Sequence, residues 1–426
     1  MRRCFRSVTA FVLAGSGLVA VPPLAVSADE VVQAAPPPPP ASDDLSQLKR
    51  DLEALRQDYT GRVAAIESRI AALEGRTAEA AAPAPEAAPT PEPTPAPTAS
   101  PSAAAGSKMF NPDMAAIGNF VGAAGKSPGG GEPSLNMQEG EFSFQAVVDP
   151  YARADFFVTV GPEGAGLEEG YITFPTLPGG FLMKVGKMRD AFGKVDGQHN
   201  HVLPWVDRPL VNKNLLGGED ALADSGISVA RLIPNPWLFL EATGQVYRGE
   251  SEVFKAPTRG DLAYVGHLRA YQDITESTNI DLGGSVGYGH NGDTADSTTR
   301  LFGVDATFRY RPLRRSIYTH LLGRTELVWS RREGPSATAN AFGGYGYLEY
   351  QFGRRWFAGA RYDYSDRATG AALVDKGGSL LLTYWPSEFG QIRAQYRHTH
   401  FGEGRTANEL LFQFLFAIGA HGAHAF

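Results

Sequence analysis

The stretch ANELLFQFLFAIG, residues 407–419, sorts its large apolar and its polar residues with a period of two. Leu410, Phe412, Phe414, Phe416 and Ile418 share one face, and Glu409 and Gln413 fall on the other. Successive side chains of a strand point to opposite sides, so this segment presents one wholly apolar wall and one that carries its polar residues. The same sorting recurs upstream. Phe302, Val304, Ala306, Phe308 and Tyr310 oppose Asp305, Thr307, Arg309 and Arg311, while Phe142, Phe144, Ala146 and Val148 oppose Glu141, Ser143 and Gln145.

Sixteen such segments are predicted: 113–122, 139–149, 151–160, 167–175, 180–190, 224–233, 236–248, 260–273, 278–290, 299–310, 317–331, 340–352, 354–365, 376–385, 389–401 and 406–418. Tight connections such as Asp149-Pro150, Pro234-Asn235 and Gly353 alternate with mostly longer ones, among them 123–138, 191–223, 249–259 and 366–375. Strands of about 10 residues joined by alternating short and long connections are the pattern of a closed transmembrane barrel. Arg or Lys facing lipid at mid-membrane costs roughly 2–4 kcal/mol, so the charged face must be luminal. The expected fold is therefore all-β, a 16-stranded antiparallel transmembrane β-barrel over 108–426, with the N-terminus and the tight turns in the periplasm.

The region before the barrel reads differently. Arg2, Arg3 and Arg6 precede an apolar stretch from Val8 to Val21, and Val26-Ser27-Ala28 offers a small-residue cleavage site, so 1–28 reads as a signal peptide. It contains the only cysteine, Cys4, which leaves the mature chain without disulfides. A Pro-rich segment fills 29–42. In 43–76 the apolar residues Leu45, Leu48, Leu52, Leu55, Tyr59, Val63, Ile66, Ile70 and Leu73 step by threes and fours. That spacing predicts a coiled-coil helix with one stutter between Tyr59 and Val63, a rod of roughly 50 Å. An Ala/Pro linker over 77–107 has no composition for a core and is expected to be disordered. The formal charge of −7 comes without a basic stripe, which excludes nucleic acid as a partner.

Sixteen strands leave an aqueous channel rather than a packed core. Its candidate lining residues are Arg153, Asp155, Arg269, Asp305, Arg309, Arg324, Glu326, Arg361, Asp363, Arg393 and Arg397. The longest connection contains FGKVDGQHNHVLPWVDRPLVNKNLLGGED, residues 192–220. A connection this long with no periodicity of its own is usually functional. Its candidate constriction residues are Lys194, Asp196, His199, His201, Asp207, Arg208, Lys213, Glu219 and Asp220.

Several motifs carry a family resemblance. KVGKMRDAFG, residues 184–193, resembles the entry into the long loop of phosphate-selective porins, and the NPD at 111–113 and the HGAHAF at 421–426 are similar to porin-like proteins. An aromatic residue closing the chain resembles the terminal signature of bacterial outer-membrane proteins. The resemblance to outer-membrane porins implies a homotrimer in outer-membrane lipid and lipopolysaccharide. It also implies a third external loop folded into the barrel, and passive diffusion of small hydrophilic solutes with a phosphate-like anion preference. Two alternatives stand beside it. Some similar sequences carry the label of a TonB-dependent, zinc-regulated receptor, a metal-uptake reading. Receptors of that kind have about 22 strands and a plug, whereas 29–107 reads as rod and linker. The rod could also tether the envelope through peptidoglycan.

No catalytic residues and no cofactor are expected. No Ser–His–acid signature stands out, so the chain is not expected to be an enzyme. The close pairs His199/His201, His398/His400 and His421/His424 each lack an evident third ligand, and zinc needs three or four, so no metal is expected. Residues 29–76 produced alone should be helical and oligomeric; a monomeric random coil in sedimentation would exclude the coiled-coil reading.

Overall fold

The computed structural model describes residues 112–128, 133–162, 164–218, 222–369 and 372–419. The predicted signal peptide, coiled coil and linker, and the closing HGAHAF, lie outside the described residues. In chain order the strands are β1 (Asp113–Lys126), β2 (Asn136–Asp149), β3 (Ala152–Gly161), β4 (Gly164–Leu177), β5 (Phe181–Met188), β6 (Asp224–Leu232), β7 (Phe239–Tyr247) and β8 (Ala263–Thr275). They continue as β9 (Thr278–His290), β10 (Thr298–Tyr310), β11 (His320–Glu333), β12 (Thr338–Gly353), β13 (Trp356–Asp366), β14 (Val374–Ser387), β15 (Gly390–His400) and β16 (Thr406–Gly419).

Each strand pairs antiparallel with its sequence neighbours, and β1 pairs with β16 from Ala115↔Gly419 to Lys126↔Asn408, which closes the barrel. All sixteen predicted strands are present. The largest shift is in β1, which runs four residues past its predicted end. Its extension Ala123–Lys126 is held in register by Leu411 to Asn408, a pairing partner that local sequence does not reveal. The second long-side connection shrinks to a tight turn, because Gly161 and Gly164 face each other across β3 and β4.

The two walls are those that alternation separated. Leu410, Phe414 and Ile418 are exposed, whereas Glu409 and Gln413 are buried. On β10, Phe302, Val304 and Phe308 face outward and Asp305 and Thr307 face in. So many exposed large apolar side chains around a closed sheet would not be tolerated in water. A closed sheet leaves no unpaired edge, which is what hydrocarbon requires. The barrel therefore spans a membrane. Tyr151 and Trp237 stand exposed at tight turns, and Trp356 stacks against Tyr384 at 4.5 Å between centroids, giving one rim an aromatic girdle.

Val304 lies near the middle of β10 on the apolar wall. Val304→Arg is expected to cost roughly 2–4 kcal/mol in denaturant unfolding from lipid vesicles. An unchanged midpoint would place this face in water.

Candidate functional site: a connection folded across the lumen

The connection between β5 and β6 folds into the barrel and packs against the luminal wall. The chain enters on Arg189, whose amide donates to Glu169 Oε1 at 2.7 Å and whose guanidinium pairs with Glu168. The next residues reach β7, β9 and β11. The Ala191 amide donates to Gln245 Oε1 at 2.7 Å, the Gly193 amide to Ser285 Oγ at 2.9 Å, and those of Lys194 and Val195 to Glu326 Oε1. Gly193 has φ +64, and a Cβ there would stand 3.2 Å from Glu326 Oε1, so glycine suits both the backbone and the contact. Lys194 Nζ pairs with Asp281 at 2.6 Å, which Arg269 shares at 2.8 Å.

Apolar side chains lie beneath this polar framework. Phe192, Val195, Leu203, Trp205, Val211, Leu215, Leu216 and Leu222 of the connection are buried, in one cluster with Tyr247, Leu301, Val328, Tyr345 and Tyr347 of the wall. Trp205 meets Tyr347 edge-on at 4.9 Å and Tyr345 at 5.2 Å. Phe192 lies against the luminal side of Gly303, where a Cβ would come within 2.8 Å of its ring. Full burial of such side chains contributes about 1.5–3 kcal/mol each, enough to hold the segment inside. A short helix, α1 (Leu210–Leu215), lies on β12 and β13, its amide at Leu210 donating to Asp363 Oδ1 at 3.3 Å.

The densest charge cluster is the clasp at Asp207. Its carboxylate accepts from Arg361 at 2.9 Å, Arg397 at 2.8 Å and Gln395 at 2.6 Å, while Arg361 also donates to the Asp207 carbonyl at 2.9 Å. Arg361 is shared with Asp363 at 2.8 Å and lies 4.9 Å over the Trp205 ring; Arg397 is shared with Glu409 at 2.5 Å. Arg393 donates to the Leu203 carbonyl at 2.9 Å. Burial alone would raise the pKa of Asp207, but the charges of Arg361 and Arg397 hold it far below the usual carboxylate range.

A second cluster fastens the opposite stretch to β2 and β4. His199 Nδ1 lies 2.6 Å from Glu141 Oε2 and Nε2 lies 2.7 Å from Glu169 Oε2. Burial opposes protonation of this ring, yet the hydrogen bonds with Glu141, Glu168 and Glu169 keep its pKa well above the ordinary imidazole value. His201 is buried beside it, 3.7 Å from Glu141 and 3.8 Å from Glu139. Burial and the neighbouring Asp196 also push the Asp190 carboxyl well above its usual range.

Of the predicted constriction residues, Lys194, His199 and Asp207 bind the wall directly. Asp196 turns inward and accepts from the Leu222 amide at 3.2 Å. Arg208 ties the connection to itself through Asn200 Oδ1 at 2.7 Å and Gln198 O at 2.5 Å. Lys213 is half-buried on α1, and Glu219 and Asp220 lie outside the described residues. Of the predicted lining residues, Arg361, Asp363, Arg393 and Glu326 are buried under the connection instead of facing an open channel. Arg324 reaches Gln198 Oε1 at 3.3 Å, Arg153 pairs with Asp155 at 2.7 Å and stays half exposed, Asp305 is buried and Arg309 half-buried. Sequence reasoning missed Glu168, Glu169, Gln245 and Gln395 as anchors, because nothing local distinguishes them from other luminal polar residues.

No protein-family model matches the chain. An uncharacterized protein of Aquifex aeolicus (strain VF5) is 30% identical over 339 residues, which are 68% of this chain and 70% of that one. The chain belongs to that protein's family. Among solved structures, outer-membrane-expressed OmpT of Vibrio cholerae covers 73% of this chain and 98% of its own, with 11% identity and a TM-score of 0.49. The outer membrane channel DcaP of Acinetobacter baumannii covers 72% and 97%, with 11% identity and a TM-score of 0.48.

Asp207→Asn leaves Arg361 and Arg397 each with one carboxylate, so its cost is expected at the lower end of the roughly 3–5 kcal/mol for breaking a buried pair. Hydrogen exchange over 189–223 should accelerate, and unchanged protection would mean that the clasp does not hold the segment. In the wild type the sign with pH follows from the depressed pKa. The stabilisation is complete above the unfolded carboxylate value of about 3.9 and is lost as pH falls below it. Protection of the segment should therefore persist from neutral pH to about pH 4 and fade below.

Proposed function

We propose that the protein is an outer-membrane porin, passing small hydrophilic solutes without energy input or a chemical step. The observation that carries this reading is a closed 16-stranded barrel whose longest described connection folds across the lumen between walls of charged residues. Strand number supports a channel, since barrels of about this size are too wide for their own side chains to fill. The folded connection supports selectivity, because it narrows the lumen and decides which charges a solute meets.

The charge layout favours anions. Arg269, Arg309 and Arg324 occupy the luminal faces of β8, β10 and β11, where Thr307, two residues from Arg309, registers with Arg324. Asp281 is already engaged by both Lys194 and Arg269. Arg153 on β3, paired with Asp155 at 2.7 Å, keeps its side chain at 50% exposure. Arginines grouped on one stretch of the luminal wall support a preference for anionic solutes, phosphate-sized ones included. The site belongs in the outer membrane, with the apolar wall in lipid beside lipopolysaccharide. A homotrimer fits the predicted coiled coil, which would stand in the periplasm and could reach peptidoglycan. Among the described luminal groups Ser285 Oγ lies 2.8 Å from His267 Nδ1, but Ser285 is buried and accepts from the Gly193 amide, so this pair serves to hold the connection in place.

Single-channel recording of the refolded mature protein under a KCl gradient tests this. Conductance with a reversal potential of the anion-selective sign is expected, and Arg309→Glu together with Arg324→Glu should move that potential toward cations. Folded barrels that pass no current would replace the porin with a gated receptor.

A further inference from the structure

The sequence offered His199 and His201 without a third ligand, and the fold supplies one. Glu141 on β2 brings Oε2 to 2.6 Å from His199 Nδ1 and 3.7 Å from His201 Nδ1. The ligand atoms of Glu141, His199 and His201 all lie within 4.8 Å of one another, and all three residues are buried. Glu139 and Glu168 border the same point and form with Glu141 a second, overlapping group of donors. We infer that Glu141, His199 and His201 form a divalent-metal site that clasps the luminal connection to β2.

Three features of the cluster support this. The first is local geometry. His199 is extended, at φ −68 and ψ 153, and leads into a 3-10 turn at Asn200–Val202. Two imidazoles of an H-x-H pair thereby converge, with centroids 5.6 Å apart, when regular alternation would have sent both along one face. Ligands held about 2.0–2.1 Å from a tetrahedral ion stand roughly 3.3 Å from one another. The two Glu141 separations, 2.6 and 3.7 Å, need only sub-ångström adjustment, and the imidazole nitrogens, within 4.8 Å of each other, need to close by about 1.5 Å at most.

The second is the outer layer. Glu169 accepts from His199 Nε2 at 2.7 Å and would leave Nδ1 for the ion, the usual way a carboxylate orients a ligating imidazole. Arg189 in turn fixes Glu169 through its amide and Glu168 through its guanidinium.

The third is charge. Glu139, Glu141, Glu168 and Glu169 surround two imidazoles, with Arg189 paired to the group. Buried carboxylates in such excess need neutralising partners, and those are either protons on the imidazoles or a dication. Two imidazole nitrogens with one carboxylate suit zinc and similar borderline ions, whereas calcium and magnesium prefer all-oxygen sets. A glutamate from the border or a water would complete the fourth position.

The test uses the full mature protein, extracted in detergent, stripped with chelator and dialysed against Zn²⁺ or Co²⁺. Uptake of about one ion per chain is expected, and Co²⁺ should give the intense visible absorption of a tetrahedral site. Glu141→Gln and His201→Gln should abolish both, while His398→Gln, on the exposed outer face of β15, should change neither. In case the variants fail to fold, the wild type supplies a second readout. Zn²⁺ should raise its unfolding midpoint and slow hydrogen exchange over 198–203, leaving exchange at Asp207 unchanged. No stoichiometric uptake by the folded wild type would overturn the site and leave a proton-neutralised cluster, and equal uptake by folded Glu141→Gln and His201→Gln would do the same. Neither result bears on conductance, so the porin reading stands or falls separately.

Discussion

A backbone amide in hydrocarbon has no water to bond, and this constraint governs the rest of the molecule. It forces every strand to find two partners, so β1 and β16, separated by nearly the whole described chain, must meet. Closure then fixes the inside and the outside. Once lipid claims the face carrying Val304 and Phe414, every charge on the alternate positions must enter the lumen.

A lumen lined with charge creates a second problem, which the connection between β5 and β6 resolves. The segment is neither wholly polar nor wholly apolar. Trp205, Phe192 and Leu215 bury themselves against Tyr345, Tyr347 and Leu301, while Lys194, Asp207 and the backbone amides absorb wall carboxylates and guanidiniums. Neither part would suffice alone. Apolar burial without the ion pairs would desolvate Arg361 and Asp281 while leaving each only its wall partner, Asp363 for one and Arg269 for the other. Ion pairs without the apolar cluster would be wetted and weak. Together they turn a long connection into a fixed partition, beside which wall charges such as Arg153 and Arg269 stay accessible to solvent.

The clasps at Asp207 and at His199 hold different stretches of the segment to different walls, β13 and β15 for one and β2 and β4 for the other. Asp207 stays ionised because two guanidiniums oppose the effect of burial. His199 lies among carboxylates, whose hydrogen bonds favour its cationic form against burial. The partition thus carries both signs of buried charge, each matched by the wall it touches.

The strand number, the strand limits to within a few residues and the assignment of each side chain to lipid or lumen were legible in the sequence. Side-chain alternation is local: position i fixes the face of i+2 whatever the rest of the chain does. The sequence also marked residues 191–223 as the functional connection and put Glu141, Arg361 and Arg397 on the luminal face. It could not say which of these would meet. Glu141 and His199 are 58 residues apart, Asp207 and Arg361 154, and Asp207 and Arg397 190. Contacts of that range depend on barrel closure and on the path the connection takes across the lumen, so His199 and His201 looked like a pair without a third ligand. Periodicity decided the wall, and tertiary structure alone decided what the wall holds, because the partners of a buried charge are set by distance in space and leave no period in the chain.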